Sequence, residues 1–204
     1  MIIHDCKQRS ESWYEIKIGK FSSSNFSDIM PPSSKSLDSW TDTQLKSVFA
    51  IATQRMTGEV QNGYVSPAMQ WGIDHEDEAR TAYEFTQDCE VKQVGFVELN
   101  EWVGCSPDGL IGDDGLIEIK CPDSSTHLLY RVSPDDMVKR YHWQVQGQLY
   151  VTDRKWCDLV SFDPRFELEK QLKIIRVARD DHAISLLKSR LEQAIKLAID
   201  FMAK

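Results

Sequence analysis

The chain has 204 residues, of which 41% are hydrophobic and 27% charged, a balance typical of a globular protein with a substantial core. The net charge of −8 argues against a protein that coats nucleic acid nonspecifically, because such binding needs lysine and arginine to neutralise phosphates. An enzyme with a local basic channel stays compatible with this charge. The sequence lacks an apolar run long enough for a membrane span or a secretory signal, and its five cysteines form no C-x-x-C pair. We therefore expect a single cytoplasmic domain, 1–204, with reduced thiols and no zinc or iron–sulfur site.

The N-terminal part of the chain predicts one helix after two irregular segments. An amphipathic turn at 11–19, followed by serines at 22–24, is typical of a loop leading to a helix N-terminus, where backbone N–H groups can bind a phosphate. The segment 31–39 is rich in proline and serine and predicts a mobile surface loop. A capping box at 41–44 then begins a helix that ends at Gly58.

The remaining chain predicts alternating helices and strands. Predicted helices run from Ser66-Pro67 to about Asp88, from Ser133-Pro134 to about Val151 and from about Asp180 to Met202, and predicted strands lie at 91–99, 102–111, 115–121, 155–162 and 171–178. This order predicts an α/β fold of the mixed α+β kind, with a central mixed β-sheet flanked by helices.

The run 105–121, C-S-P-D-G-L-I-G-D-D-G-L-I-E-I-K-C, carries the strongest chemical signal. Its Gly-Asp-Asp-Gly turn predicts a hairpin that brings Asp108 alongside Glu118. Because side chains alternate along a strand, Glu118 and Lys120 share one face while Ile119 points into the core. Two adjacent carboxylates repel unless a cation separates them, and oxygen ligands favour magnesium or manganese. Taken alone, Glu-x-Lys is also an ordinary surface charge pair, and Pro-Asp-Gly an ordinary turn.

Five ordered motifs resemble the phage lambda exonuclease family, the YqaJ-type viral recombinases of the PD-(D/E)xK nuclease superfamily. Between Trp13 and Gln146 they read W-x-x-x-K-x-G with serines after it, W-G-x-x-x-E-x-x-A-R, C-S-P-D-G, E-x-K-C-P and Q-V-Q. The resemblance implies a restriction-endonuclease-like core. It implies a 5′→3′ exonuclease that digests one strand of linear double-stranded DNA and leaves 3′ single-stranded overhangs for recombination by strand annealing.

The same resemblance implies an assembly and a setting. It implies a processive, ring-shaped homotrimer (a toroid) with a phage single-strand annealing protein as partner. It also implies a phage or prophage gene acting in the cytoplasm of a bacterial host cell. The basic lining of such a ring could come from the Lys35 loop and from the pair Lys139 and Arg140.

Residue by residue, the resemblance implies a metal site with magnesium as cofactor, two ions per active site, and manganese as a substitute. Asp108 and Glu118 match the family's metal-binding acids, and the backbone carbonyl of Ile119 matches a further ligand. Glu76 matches a helix-borne glutamate that completes the site, although in isolation it could belong to a solvated helix face. Lys120 matches the catalytic lysine.

The resemblance also implies a DNA-binding set. Gln144 and Tyr141 match residues that line the active site, and Gln144 is counted with the catalytic residues. Lys17, Ser24 and Ser106 match positions around a 5′-phosphate pocket.

The pocket departs from the family at two positions. Lys17 stands where the best-known member has arginine. A guanidinium that can donate two parallel hydrogen bonds to a phosphate is thereby replaced by a single ammonium group. Thr126 stands where a second pocket arginine would be expected, and His127 or Arg131 could substitute for it.

Two alternative functions stay open at the level of sequence. The first is an endonuclease or junction-cutting relative with the same acidic core, which would nick closed circular DNA. The second is a catalytically silent DNA- or protein-binding module on this fold. The presence of Asp108, Glu118, Lys120 and Glu76 together counts against a silent module.

Overall fold

The computed structural model describes residues 1–32, 34–59 and 65–204. The helices are α1 (Glu11–Lys17), α2 (Asp42–Thr57), α3 (Pro67–Gln87), α4 (Ser124–Val132), α5 (Pro134–Thr152) and α6 (Asp181–Met202), with 3₁₀ helices at Ser23–Asp28 and Leu168–Lys170. The strands are β1 (Ile2–His4), β2 (Phe21–Ser22), β3 (Phe96–Asn100), β4 (Val103–Cys105), β5 (Gly109–Ile111), β6 (Gly115–Lys120), β7 (Trp156–Phe162) and β8 (Leu172–Ala178). The predicted mixed α/β fold is confirmed. None of the described helices combines the length and apolarity that crossing a membrane requires.

The strands form two mixed sheets rather than one central sheet. Their orders are β1-β3-β4-β2 and β5-β6-β7-β8, and each sheet contains one parallel pair. The strand predicted at 102–111 is divided into β4 and β5, because Pro107 has no N–H to continue a ladder. The chain therefore passes from one sheet to the other at Ser106, Pro107 and Asp108, directly before the predicted hairpin of β5 and β6.

Two α-helices, α1 and α4, and both 3₁₀ helices of the described residues were not predicted as such. α4 begins at its cap Asp123, whose carboxylate accepts from the backbone N–H of Thr126 at 3.0 Å. Its first residues are serines and a threonine, which favour caps and turns over helix interiors, so the sequence signal is weak. The serines at 22–24 run through β2 into the 3₁₀ helix Ser23–Asp28 instead of into an α-helix.

Two clusters of buried apolar side chains position the elements that matter for function. The larger cluster includes Val145 and Leu149 of α5 together with Leu116 of β6. The smaller cluster packs Tyr83 of α3 against Ile117 of β6. Because both clusters share β6, helices α3 and α5 are both fixed relative to this strand.

Arg190 of α6 anchors the predicted surface loop at 31–39. Its side chain is fully buried, and its guanidinium donates to the carbonyls of Ile29 at 2.7 Å and Ser39 at 2.8 Å. It also stacks over the ring of Trp40, 3.3 Å from the ring centroid. The described part of this loop is therefore tied to the C-terminal helix.

Candidate active site

A cleft of about 900 Å³ is lined by residues of α1, α3, β6 and α5. All the residues that the sequence predicted for the site lie in its wall: Lys17, Ser24, Glu76, Ser106, Asp108, Glu118, Ile119, Lys120, Tyr141 and Gln144. These side chains are separated by long stretches of sequence. Their convergence follows from the packing of the two helices and the hairpin around β6.

Glu118 is the most enclosed of the cleft's acids. Its side chain is 3% exposed, and its Oε1 accepts from Lys120 Nζ at 2.6 Å and from Gln144 Nε2 at 2.5 Å. Its other oxygen, Oε2, accepts from Gln148 Nε2 at 2.6 Å. Gln148 was not predicted as a site residue. Its four-residue spacing from Gln144 put both on one helix face, which was the only sequence signal.

Asp108 lies directly beside Glu118, as the hairpin predicted. Its Oδ2 accepts from the backbone N–H of Ile119 at 2.6 Å, and its own carbonyl accepts from Arg80 Nε at 3.3 Å. Burial raises the pKa of Asp108 well above its usual range, and the negative charges of Glu118 and Glu76 raise it further. Asp108 therefore carries electrostatic repulsion that a bound cation would relieve.

Glu76 faces the cleft rather than solvent. Its Oε1 accepts from Arg80 Nη2 and its Oε2 from Arg9 Nη2, both at 2.9 Å. Its neighbours Asp77 and Glu78 are exposed. These two residues, and not Glu76, therefore form the solvated helix face that was the alternative interpretation.

Lys120 is oriented by the acids around it. Burial lowers the pKa of Lys120, but the negative charges of Glu118 and Asp108 outweigh that effect and raise the pKa above its usual value. Its Nζ also lies 4.7 Å from the ring centroid of Tyr141. Lys120 is therefore protonated at neutral pH and acts here as a hydrogen-bond donor.

The donor set of the cleft fits a hard divalent cation. No three His, Cys, Asp or Glu side chains in the described parts of the chain converge on one point as they stand. The charges of Lys120, Arg9 and Arg80 offset part of the acidic charge instead. The available ligands are nevertheless carboxylate oxygens, which Mg²⁺ and Mn²⁺ prefer, and after burial the charges of Glu118 and Glu76 contribute to the raised pKa of Asp108.

A second region of the cleft contains polar donors beside Lys17. Its Nζ lies 3.8 Å from the ring centroid of Trp13, and burial, assisted by the positive charge of Arg9, lowers the pKa of Lys17 to about 8. The indole N–H of Trp13 donates to Ser106 Oγ at 2.9 Å, which leaves the serine hydroxyl hydrogen free for another acceptor. Ser24 is exposed, and its hydroxyl donates to the Asn25 side chain at 3.1 Å.

Neither suggested substitute for the missing pocket arginine faces the cleft. His127 is buried and bonds Ser161 Oγ at 2.8 Å and the carbonyl of Lys170 at 2.9 Å. Arg131 donates to the same Lys170 carbonyl at 2.9 Å. Thr126 lines the cleft but donates its hydroxyl to Asp123 at 2.7 Å.

Three arginines line the cleft instead, and of these the sequence suggested only Arg140, as a candidate for the basic lining of the ring. They are Arg9, Arg140 and Arg165. Arg165 is bound through Nε and Nη2 to Asp163, at 2.8 and 2.9 Å, and its guanidinium lies over Trp71. Arg140 is exposed, and its guanidinium carbon lies 5.8 Å from the ring centroid of Tyr141, whereas Lys139 does not line the cleft.

Comparison with known proteins identifies the family and the fold. Residues 12–155 match the model of the YqaJ-like viral recombinase domain. The fold is similar to that of an alkaline exonuclease, LHK-Exo, from Laribacter hongkongensis, with a TM-score of 0.84, 30% identity and 95% of each chain covered. The same values hold for LHK-Exo in complex with dAMP.

A phage-related exonuclease from Haemophilus somnus 129PT shares the fold with a TM-score of 0.76 at 19% identity, covering 90% of this chain and 95% of that one. No curated protein sequence matches the chain. The family match spans most of the chain, from α1 to the start of β7, and includes every predicted site residue. The chain therefore belongs to the YqaJ-like viral recombinase family, a family of nucleases that generally use divalent metals.

Proposed function

We propose that the protein is a metal-dependent 5′→3′ exonuclease that digests one strand of linear double-stranded DNA and leaves a 3′ single-stranded overhang. The observation that carries the proposal is the meeting of Asp108, Glu118 and Lys120 in one cleft, in a chain that belongs to a nuclease family. The 30% identical relative is described as an alkaline exonuclease, which supports exonuclease chemistry over other nuclease activities.

Asp108, Glu118, Glu76 and the carbonyl of Ile119 would hold the metal, with magnesium as the preferred ion, manganese as its substitute and two ions per site. Bound there, the metal supplies Lewis acidity at the scissile phosphate. Gln144 and Gln148 fix the Glu118 carboxylate through hydrogen bonds at 2.5 and 2.6 Å, so that its orientation does not depend on the substrate.

Lys120 would orient the attacking water and stabilise the charge that develops on the phosphate. A protonated lysine suits a donor to developing negative charge. Its Nζ donates to Glu118 Oε1 at 2.6 Å, and this hydrogen bond limits the movement of the lysine side chain.

Lys17, Ser106 and Ser24 would bind the 5′-phosphate of the DNA end, with Tyr141 lining the path of the strand. A phosphate accepts charge-assisted hydrogen bonds that a 5′-hydroxyl cannot receive fully. The enzyme should therefore prefer 5′-phosphorylated ends.

The family resemblance further supports a processive, ring-shaped homotrimer, a phage annealing protein as partner and a phage or prophage origin in a bacterial cytoplasm. A closed ring would keep the enzyme on its substrate without strong phosphate binding, which suits a chain of net charge −8. Light scattering in moderate salt should give about three times the 23.5 kDa chain mass. A mass near that of one chain, with distributive digestion of long duplex, would contradict the ring.

A single digestion experiment tests the proposed activity. Blunt linear duplex, labelled at either the 5′ or the 3′ ends, is incubated with the protein and magnesium beside closed circular DNA. We expect rapid release of the 5′ label as small products, retention of the 3′ label on long strands, and intact circles. Nicked circles would favour the endonuclease alternative, and binding without cleavage would favour the silent module.

A further inference from the structure

Arg9 occupies a backbone conformation that its side chain disfavours. Its φ is +67°, in the left-handed region, where glycine is accommodated without cost and other residues are strained. Two anchors hold it there. Gln8 donates to the carbonyls of Val94 and Pro107 at 3.1 and 3.0 Å, and Ser10 caps helix α1. A strained conformation held by its surroundings is a reason to look for a function of the side chain.

The ion pair of Arg9 with Glu76 does not explain this strain. The Arg9 side chain is 42% exposed, and pairs with an exposed partner contribute little to stability. Glu76 already has a better-enclosed partner in Arg80, whose side chain is 8% exposed. Within residues 1–32, 34–59 and 65–204, only Nη2 of the Arg9 guanidinium has a hydrogen-bond partner. Its Nε and Nη1 are therefore available to a ligand in the cleft.

Arg9 and Lys17 bring two positive charges to one cleft, where an anionic ligand could bind both. Arg9 and Lys17 line the same cleft, and after burial the positive charge of Arg9 is the main cause that lowers the pKa of Lys17. Two cations at close range repel each other unless an anion binds between them. At position 126, where the resemblance leads us to expect a second pocket cation, Thr126 instead donates its hydroxyl to the carboxylate of Asp123 and supplies no positive charge.

We propose that Arg9 is the second cation of the 5′-phosphate site and binds the terminal phosphate of the DNA end together with Lys17. Arg9 supplies a planar guanidinium that can donate several hydrogen bonds, which lysine cannot do. This guanidinium comes from the segment before α1 and not from position 126, where the family's arginine would be expected. Of the other arginines in the cleft, Arg165 already has two of its nitrogens bound to Asp163. The inference rests on the proposed preference for 5′-phosphorylated ends and names a residue that determines it.

The test compares the affinities of duplex probes that carry either a 5′-phosphate or a 5′-hydroxyl. Binding is measured by fluorescence anisotropy in calcium, and the probes are recovered afterwards and checked to be intact. Arg9→Gly removes the guanidinium and relieves the backbone strain, so it should melt no lower than the wild type. We expect it to lower the ratio of the two affinities about tenfold, the effect of losing a hydrogen bond to a charged group.

Lys7→Ala is the matched control, because it removes an exposed cation two positions away that does not line the cleft. It should leave the affinity ratio unchanged. If Arg9→Gly keeps the wild-type ratio while Lys17→Ala loses it, Arg9 is not part of the pocket, and the proposed function stands. If the wild type binds both probes equally and Lys17→Ala has no effect, the proposed end recognition itself fails.

Discussion

Gln148 offers a sharp test of how the acidic site is built. Replacing it with methionine keeps a side chain of similar size but removes the amide that donates to Glu118 Oε2 at 2.6 Å. The carboxylate would then lose one of its three donors, and the lost bond to a charged acceptor is equivalent to about 1.5–3 kcal/mol. Since Glu118 is a proposed metal ligand, we expect Gln148→Met to weaken metal binding about 10–100-fold.

The stability of this variant should change less than its metal affinity. The Gln148 side chain is fully buried, and its Oε1 has no hydrogen-bond partner among the described residues. Methionine removes that unpaired acceptor, which offsets part of the cost of the lost donor. Gln146→Met is the matched control. Gln146 is equally buried on the same helix, but it bonds the carbonyl of Ala178 and the N–H of Asp180, away from the cleft.

The assay is a magnesium titration of the cleavage rate, with calorimetric metal binding as a second readout. Gln148→Met should need more magnesium for half-maximal activity, whereas Gln146→Met should lower the melting temperature and leave the magnesium requirement unchanged. A wild-type metal requirement in Gln148→Met, or an equal change in both variants, would refute the idea that Gln148 positions the ligand.

Three further predictions concern other parts of the chain. Lys120→Ala should abolish cleavage while calorimetric metal binding persists, and cleavage near the wild-type rate would exclude Lys120 from the mechanism. Because burial lowers the pKa of Lys17 from 10.5 to about 8, its side chain is a charged ammonium below that pH and loses its proton and its charge above it. The preference for 5′-phosphorylated ends is measured as the ratio of kcat/KM values for phosphorylated and hydroxyl ends. In the wild type this ratio should decline as pH rises through about 8, whereas in Lys17→Arg it should not. The same pH profile in both proteins would contradict the assignment of Lys17 to the phosphate site. Arg190→Lys removes the guanidinium that donates to the carbonyls of Ile29 and Ser39, so the free energy of unfolding in urea should fall by about 3 kcal/mol. A fall under about 1 kcal/mol would contradict the anchoring role of Arg190.

The parts of the site that the sequence predicted are those that depend on local structure. The hairpin and the alternation of strand residues are short-range features, so they predict that Asp108, Glu118 and Lys120 lie together, as the structure shows. The mixed α/β fold was likewise predictable from caps and periodicity. The pattern of apolar residues at 102–111 predicts one continuous strand, but Pro107 interrupts it and the two halves belong to different sheets.

The residues that the sequence did not predict depend on how distant elements pack. Gln148 reaches Glu118 only because α5 lies over β6, and helical spacing alone does not say which face is buried. Arg9 reaches the cleft through a left-handed turn that no residue type in its neighbourhood signals, since glycine is the usual occupant of that conformation. Gln148 and Arg9 contact the carboxylates of the site, but they lie outside the sequence motifs that predicted those carboxylates.

The central claim is that the cleft containing Asp108 and Glu118 hydrolyses the ends of duplex DNA. The most direct measurement is the rate at which Asp108→Ala digests 5′-phosphorylated linear duplex over a range of magnesium concentrations, with a melting curve to establish that the variant is folded. The variant removes a carboxylate from a site with few other ligands. We predict that it melts as a folded protein and shows no digestion at any magnesium concentration. Digestion near the wild-type rate by folded Asp108→Ala would contradict the account.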